Sequence, residues 1–242
     1  MGTDQFHTIM NSPRKQPLQL TLQDGTEVLL RPVMPEDREG IKNGMAALSP
    51  ESRYFRFFTS ATQLSDEQLR YFSEVDQHDH VAWIAFNSSN PTHPGLGIAR
   101  FVRLKEEPTV AEMALTVIDA CQRRGVGTIL LALLYLLAGT HGLQTLRAVV
   151  AGENTTMLKW LRSLGATGLC ERGEYRLNLT VHRDPAHLPQ TPSGEKFKRA
   201  IEAVQTALRG SDATFSLGLP GFGNTGKETH ESRRPVGDQP KM

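Results

Sequence analysis

The sequence predicts an α/β (α+β) protein built on one mixed sheet with helices on both faces. Three observations predict it. Strand-like segments alternate with helix-like apolar stripes through residues 17–182. The early strands are joined by short polar turns, which suit antiparallel pairing. Later, VAEMALTVI is followed by the long apolar run GVGTILLALLYLLAGTHG and then by TLRAVVAG, which leaves room for a parallel crossover.

Taken in order, LQLTLQ and TEVLLR flank an Asp24-Gly25 pair and form a hairpin. PEDREGIKNGMAAL reads as a helix with Pro35 in a permitted first-turn position. Ser49-Pro50 starts a second short helix, SPESRYFRFF. Ser65 with Gln68 forms a capping box for a third, SDEQLRYFSEV. Three strands follow: HVAWIAF, GLGIARFVRL and VAEMALTVI. The proline-bearing loop NSSNPTHPG connects the first two. After the long helix and TLRAVVAG comes the helix NTTMLKWLRSLG, and short strands near CER and EYRLNLTV close the domain.

The ends read differently. Residues 1–16 lack periodicity and are expected to be a disordered arm. Six of the 14 prolines and seven of the 21 glycines fall in the last 60 residues, so a tail is expected from 183 to 242. Within it Phe197, Ile201, Val204 and Leu208 recur at helical spacing, with Ser193 available as a cap. This predicts an amphipathic helix over about 193–209 that folds back on the domain or meets a partner, with disorder after it.

Composition excludes several classes. The formal charge of +1 over 242 residues lacks the basic excess of a dedicated nucleic-acid binder. Two cysteines, Cys121 and Cys170, make no disulfide framework or Cys-rich zinc site. The longest apolar run, 129–138, is too short to span a bilayer, and the N-terminus lacks a signal region. A cytoplasmic monomer or homodimer, with no nucleic-acid or membrane partner and no metal, is the expectation. Gln77-His78-Asp79-His80 contains a His-x-His pair, but turn chemistry accounts for it.

The chemistry concentrates in 111–134. A strand ends near Asp119, a loop with Arg123 and Arg124 follows, and Gly125 and Gly127 open the long helix. Glycines admit close backbone approach, and the free amides of a helix's first turn attract an anion. The arginines add charge-assisted donors. This predicts a phosphate or pyrophosphate site. The spacing matches neither a Walker A loop nor a dinucleotide fingerprint.

What stands there is Gln122-Arg123-Arg124-Gly125-Val126-Gly127, then Thr128, with Asn154 and Leu164-Gly165-Ala166 downstream. These positions resemble the Q/R-x-x-G-x-G/A signature and following segment of the GNAT N-acetyltransferases, over roughly residues 26–182. LRPVMPEDREGI, LSPESRYFRFF and AEMALTV look like the catalytic domain of bacterial protein lysine acetyltransferases. The resemblance implies a GNAT fold, mostly antiparallel, with a splayed central parallel pair near residues 117 and 148. It implies acetyl-CoA as cosubstrate, with its pyrophosphate on residues 122–128 and a contact from Asn154. Main-chain bonds to the pantetheine arm are implied at Leu115 and Val117. Such enzymes often carry a regulatory domain as well, for which this chain has no room, so a stand-alone catalytic domain is expected.

Acetyl transfer to an amine needs a base, and Glu112 is the candidate: a carboxylate in an otherwise apolar strand. Alternation puts it with Ala114 and Thr116 on one face, where apolar neighbours are expected to desolvate it. The alternative is a strand-end carboxylate in water or paired with Arg100 or Arg103. The resemblance gives the same role to the Glu of a similar AE-x-x-x-x-V strand. Many relatives place a Tyr seven residues after the Asn, to protonate the leaving thiolate; here that position is Leu161. Tyr135 and Cys121 are expected to pack rather than react. In SPESRYFRFF, Tyr54, Phe57 and Phe58 are expected to face inward, and Arg53 and Arg56 outward, on a helix bordering the acceptor cleft. The expected acceptor is a protein lysine, with a small-molecule amine as runner-up. The rival classes are a non-catalytic acyl-CoA-binding regulatory module and an interaction protein acting through the 193–209 helix.

Overall fold

The computed structural model describes residues 17–59, 61–89 and 95–214. The expected N-terminal arm, the centre of the NSSNPTHPG loop and the end of the tail lie outside the described residues. The strands are β1 (Leu18–Thr21), β2 (Glu27–Pro32), β3 (His80–Asn87), β4 (Gly97–Arg103), β5 (Val110–Val117), β6 (Thr145–Ala151), β7 (Thr167–Glu171) and β8 (Glu174–Thr180). The helices are α1 (Arg38–Ala46), α2 (Pro50–Phe57), α3 (Asp66–Ser73), α4 (Val126–Thr140), α5 (Thr155–Ser163) and α6 (Pro192–Thr214).

Local chemistry sets the turns. Gly25 takes φ 81° in the β1–β2 hairpin, a value only glycine adopts cheaply, and the Thr26 amide donates to Asp24 Oδ1 at 3.0 Å. The capping box closes as the spacing requires: the Gln68 amide donates to Ser65 Oγ at 3.2 Å, and the Ser65 amide donates to Gln68 Oε1 at 2.9 Å.

The eight strands form one sheet in the order β1-β2-β3-β4-β5-β6-β8-β7. Every neighbouring pair is antiparallel except β5 with β6. α4 supplies the crossover between these two. It is apolar on nearly all sides because it lies between the sheet and α6, and Leu130, Leu131, Leu133 and Leu134 are all fully buried. The opposite face carries a smaller cluster of Val33, Ala82 and Ile84 with Ile41 and Val75, beneath α1 and α3.

The packing crosses the boundary expected at residue 183. α6 is longer than the expected 193–209 helix, and Phe197, Ile201 and Val204 belong to the same core as α4. The Phe197 ring meets Tyr135 edge-on at 5.5 Å, and the Tyr135 hydroxyl accepts from the His182 amide at 2.7 Å. Tyr135 is thus satisfied inside the core. The helix is capped by Thr191, whose hydroxyl accepts from the Gly194 amide at 2.9 Å, rather than by Ser193.

Candidate active site

Three features meet where β5 leaves β6. The first is a fork. β5 and β6 pair only from Val110↔Thr145 to Met113↔Ala148, although β5 runs on to Val117 and β6 to Ala151. β4 stays paired with β5 as far as Gly97↔Val117, so β5 keeps one neighbour and exposes its other edge from Ala114 onward. Leu115 and Val117 lie on this open stretch.

The second is the loop into α4. Arg123 takes a left-handed φ of 63° and Gly125 takes φ 99°, which turns the chain so that Val126 begins the helix. The amides of Val126, Gly127 and Thr128 have no intrahelical acceptor and open at a positive helix end. A Cβ built on Gly127 would touch Leu115 Cδ2 at 3.5 Å and Val117 Cγ2 at 3.6 Å, so the first turn of α4 lies against the open end of β5. Gln122 is turned away from the amides: its Nε2 donates to Ser52 Oγ and to Val117 O, both at 3.3 Å. Arg123 is exposed. Arg124 is held by the β1–β2 turn, with Nε 2.7 Å from Asp24 Oδ2 and a second bond to Thr26 Oγ1. Hydrogen bonds from Thr26 and Arg124 lower the Asp24 carboxyl to about 2. Asn154 is the N-cap of α5, its Oδ1 accepting from the Met157 amide at 3.1 Å.

The third is Glu112, one residue before the last β5–β6 pair. Its side chain is exposed rather than enclosed by apolar neighbours, which corrects the expected desolvation. Its neighbours are charged rather than apolar: it lies opposite Arg147 in the parallel register, and its charge acts on both Arg147 and Arg56. Arg147 is fixed by a bidentate pair with Glu107, at 2.6 and 2.9 Å, and by Asn178 at 2.9 Å. Neither Arg100 nor Arg103 pairs with Glu112: Arg100 is buried against Phe72 and His80, and Arg103 pairs with Asp79.

α2 is pinned to the loop after β5. Asp119 accepts from the Ser49 amide and hydroxyl, each at 2.9 Å, and from Ser52 Oγ at 2.7 Å. Burial opposes the charge on Asp119, but these bonds hold its carboxyl below its ordinary value. The face of α2 differs from expectation. Phe57 packs inward on Phe72, but Tyr54 and Phe58 are exposed and Arg56 turns in over the Phe57 ring at 4.8 Å. Phe58 leaves the helical stripe because it takes a left-handed φ of 52° at the C-cap, and Arg56 gains a nearby carboxylate in Glu112.

Arg56, Arg100, Arg147 and Asp24 were not singled out as site residues from the sequence. For Arg100 the signal was present: it is a charge in an apolar strand, the same criterion that selects Glu112. The partners of the other three are distant in sequence. Leu161, at the position of the family's Tyr, is buried in the core. Among the described residues no group of three or more His, Cys, Asp or Glu side chains is placed to hold a metal, and no helix is long and apolar enough to cross a membrane.

A forked parallel pair with an amide-lined helix start beside it is the arrangement that the resemblance to the GNAT acetyltransferases implies. Residues 27–167 match the acetyltransferase (GNAT) domain, and the chain belongs to that family. Acetyltransferase Pat of Mycolicibacterium smegmatis is 36% identical over 155 residues, which are 64% of this chain and 46% of that protein. The chain therefore matches less than half the length of that relative. An acetyltransferase of Pseudomonas aeruginosa is 30% identical over 61% of this chain and 79% of its own length. Among solved structures, the GNAT domain of S. lividans PAT superposes with a TM-score of 0.62 at 28% identity, covering 68% of this chain and 96% of that one.

Proposed function

We propose that the chain transfers acetyl from acetyl-CoA directly to a primary amine, a lysine side chain of a protein, with Glu112 as general base. The observation that carries this reading is the position of Glu112 at the β5–β6 fork, on the strand whose open end meets the first turn of α4. The pyrophosphate fits the amides of 126–128 with Arg123, and with Arg124 once it leaves Asp24. Pantetheine fits the open edge of β5 at Leu115 and Val117, and Asn154, the N-cap of α5 three residues beyond the end of β6, contacts the cofactor from that strand's side. The thioester carbon then lies near the fork. Glu112, directly or through a water, takes a proton from the acceptor ammonium. The freed nitrogen attacks the carbonyl carbon and a C–N bond forms; the C–S bond then breaks, sulfur leaves as the CoA thiolate, and the nitrogen releases its second proton to solvent. Leu161 offers no acid, so solvent protonates the thiolate. The likeness of AEMALTV and LSPESRYFRFF to bacterial protein lysine acetyltransferases supports lysine as the acceptor, in keeping with a cytoplasmic protein.

The test is mass spectrometry of lysate proteins after incubation with labelled acetyl-CoA, with Glu112→Gln as control. Labelled lysines that disappear in the control support the reading. Tight acetyl-CoA binding with no labelled product overturns it in favour of a regulatory acyl-CoA-binding module.

A further inference from the structure

On the Glu112 side of the sheet, α1, α2 and α3 roof a cavity of ≈ 60 Å³ over β4 and β5. Its walls are mostly apolar, with Ile41, Leu48, Phe57 and Ile98 among them, yet two arginines line it, Arg56 and Arg100. Arg100 is 5% exposed. Its guanidinium lies 4.5 Å over the Phe72 ring, donates to Phe72 O at 3.2 Å and meets His80 Nε2 at 3.1 Å. Its Nε is buried without a partner, and so is the hydroxyl of Thr116, which also lines the cavity. Among the described residues neither arginine makes an ion pair with a carboxylate.

A buried guanidinium is costly unless it is paired. Here a ring face, a carbonyl and an imidazole stand in for a counter-ion, and a second guanidinium adds like charge. Burial first and then the Arg56 charge lower Arg100 to about 9, and burial first and then the Arg100 charge lower His80 to about 4, so the imidazole is neutral and accepts from Arg100. Glu112 is the carboxylate whose charge acts on Arg56, and the strand register puts it on the same sheet face as Arg100 and Thr116.

We infer that this cavity binds a carboxylate carried by the acceptor, with Arg56 and Arg100 as counter-ions and the Thr116 hydroxyl as a further donor. The assignment rests on the acceptor side proposed above. The apolar walls exclude water and strengthen the charge pairing. The carboxylate belongs either to an amino-acid acceptor or to an acidic side chain flanking a target lysine.

The test uses the full chain and two acceptor pairs that differ by one carboxylate. The first is lysine against cadaverine. The second is a lysine peptide with glutamate beside the lysine against the same peptide with alanine. Two readouts run in parallel: CoA release, and thermal stabilisation in the presence of CoA, which needs no turnover. The expected result is a preference of about tenfold or more for the carboxylate-bearing member of at least one pair. The first pair reports an amino-acid acceptor and the second a flanking acid. Arg100→Met, Arg56→Gln and Thr116→Val should each bring the ratio toward one; if Arg100→Met does not fold, the other two carry the test. Equal treatment of both pairs by both readouts overturns the inference, as does a ratio unchanged in the variants. A preference for succinyl-CoA over acetyl-CoA that Arg56→Gln abolishes would place the carboxylate on the donor and overturn the acceptor assignment. Stabilisation by the carboxylate-bearing ligands without any CoA release would support the cavity while removing the proposed activity.

Discussion

Arg124 Nε lies 2.7 Å from Asp24 Oδ2, so the loop that opens α4 is tied to a hairpin turn 100 residues earlier. The pair is exposed and easily exchanged for another anion. In the proposed complex Arg124 leaves Asp24 for the pyrophosphate. Asp24→Asn should therefore tighten acetyl-CoA binding by about threefold, because Arg124 no longer gives up a carboxylate. Arg124→Glu should weaken it by about tenfold or more. Calorimetry checks both, and an affinity unchanged by the charge reversal removes Arg124 from the site.

Glu112→Gln keeps the size of the side chain and removes the base. Acetyl-CoA should bind as in wild type, while kcat falls by about a hundredfold or more. Equal turnover by the two proteins would show that another group takes the proton.

His80 is held near 4, from an ordinary 6.5, by burial first and then by Arg100, with Asp76 opposing. The folded protein thus resists protonating His80 while the unfolded chain accepts the proton. The resulting contribution to stability is complete above 6.5 and is lost as pH falls toward 4. Melting temperature should decline across that window in wild type and decline less in His80→Gln. Parallel curves would locate the acid sensitivity elsewhere.

Phe197 is fully buried against Tyr135. Phe197→Ala should cost about 3–5 kcal/mol of stability, read by denaturant unfolding. A chain ending at residue 191 should melt much lower than the full chain, because α4 would then expose the face that α6 covers. A truncation that melts like wild type would make α6 a separable appendage.

Much of the fold is legible in the sequence because its signals are local. The Asp24-Gly25 turn, the Ser65–Gln68 box and the apolar periodicity of each element depend on residues a few positions apart. The anion loop is legible for the same reason: Gly125 makes the turn by its own left-handed conformation, and Gly127 keeps the first turn of α4 free of a side chain. Alternation along VAEMALTVI also separates Glu112 from Leu115 and Val117. It identifies opposite faces without saying what covers either one.

What covers them was decided by the tertiary structure. Glu112 faces solvent, with Arg147 brought opposite it by β6 and Arg56 brought within reach of its charge by α2. Arg56 turns inward because Asp119, at the end of another strand, pins the start of its helix. Arg124 finds Asp24 only once the hairpin is placed beside α4, and the apolar stripe of α6 belongs to the core only because α4 offers a matching face. The physical reason is common to all four. A chain's periodicity determines which side of an element a group occupies, but the energy of a charge or an apolar face depends on what stands opposite, and that is set by contacts between distant residues.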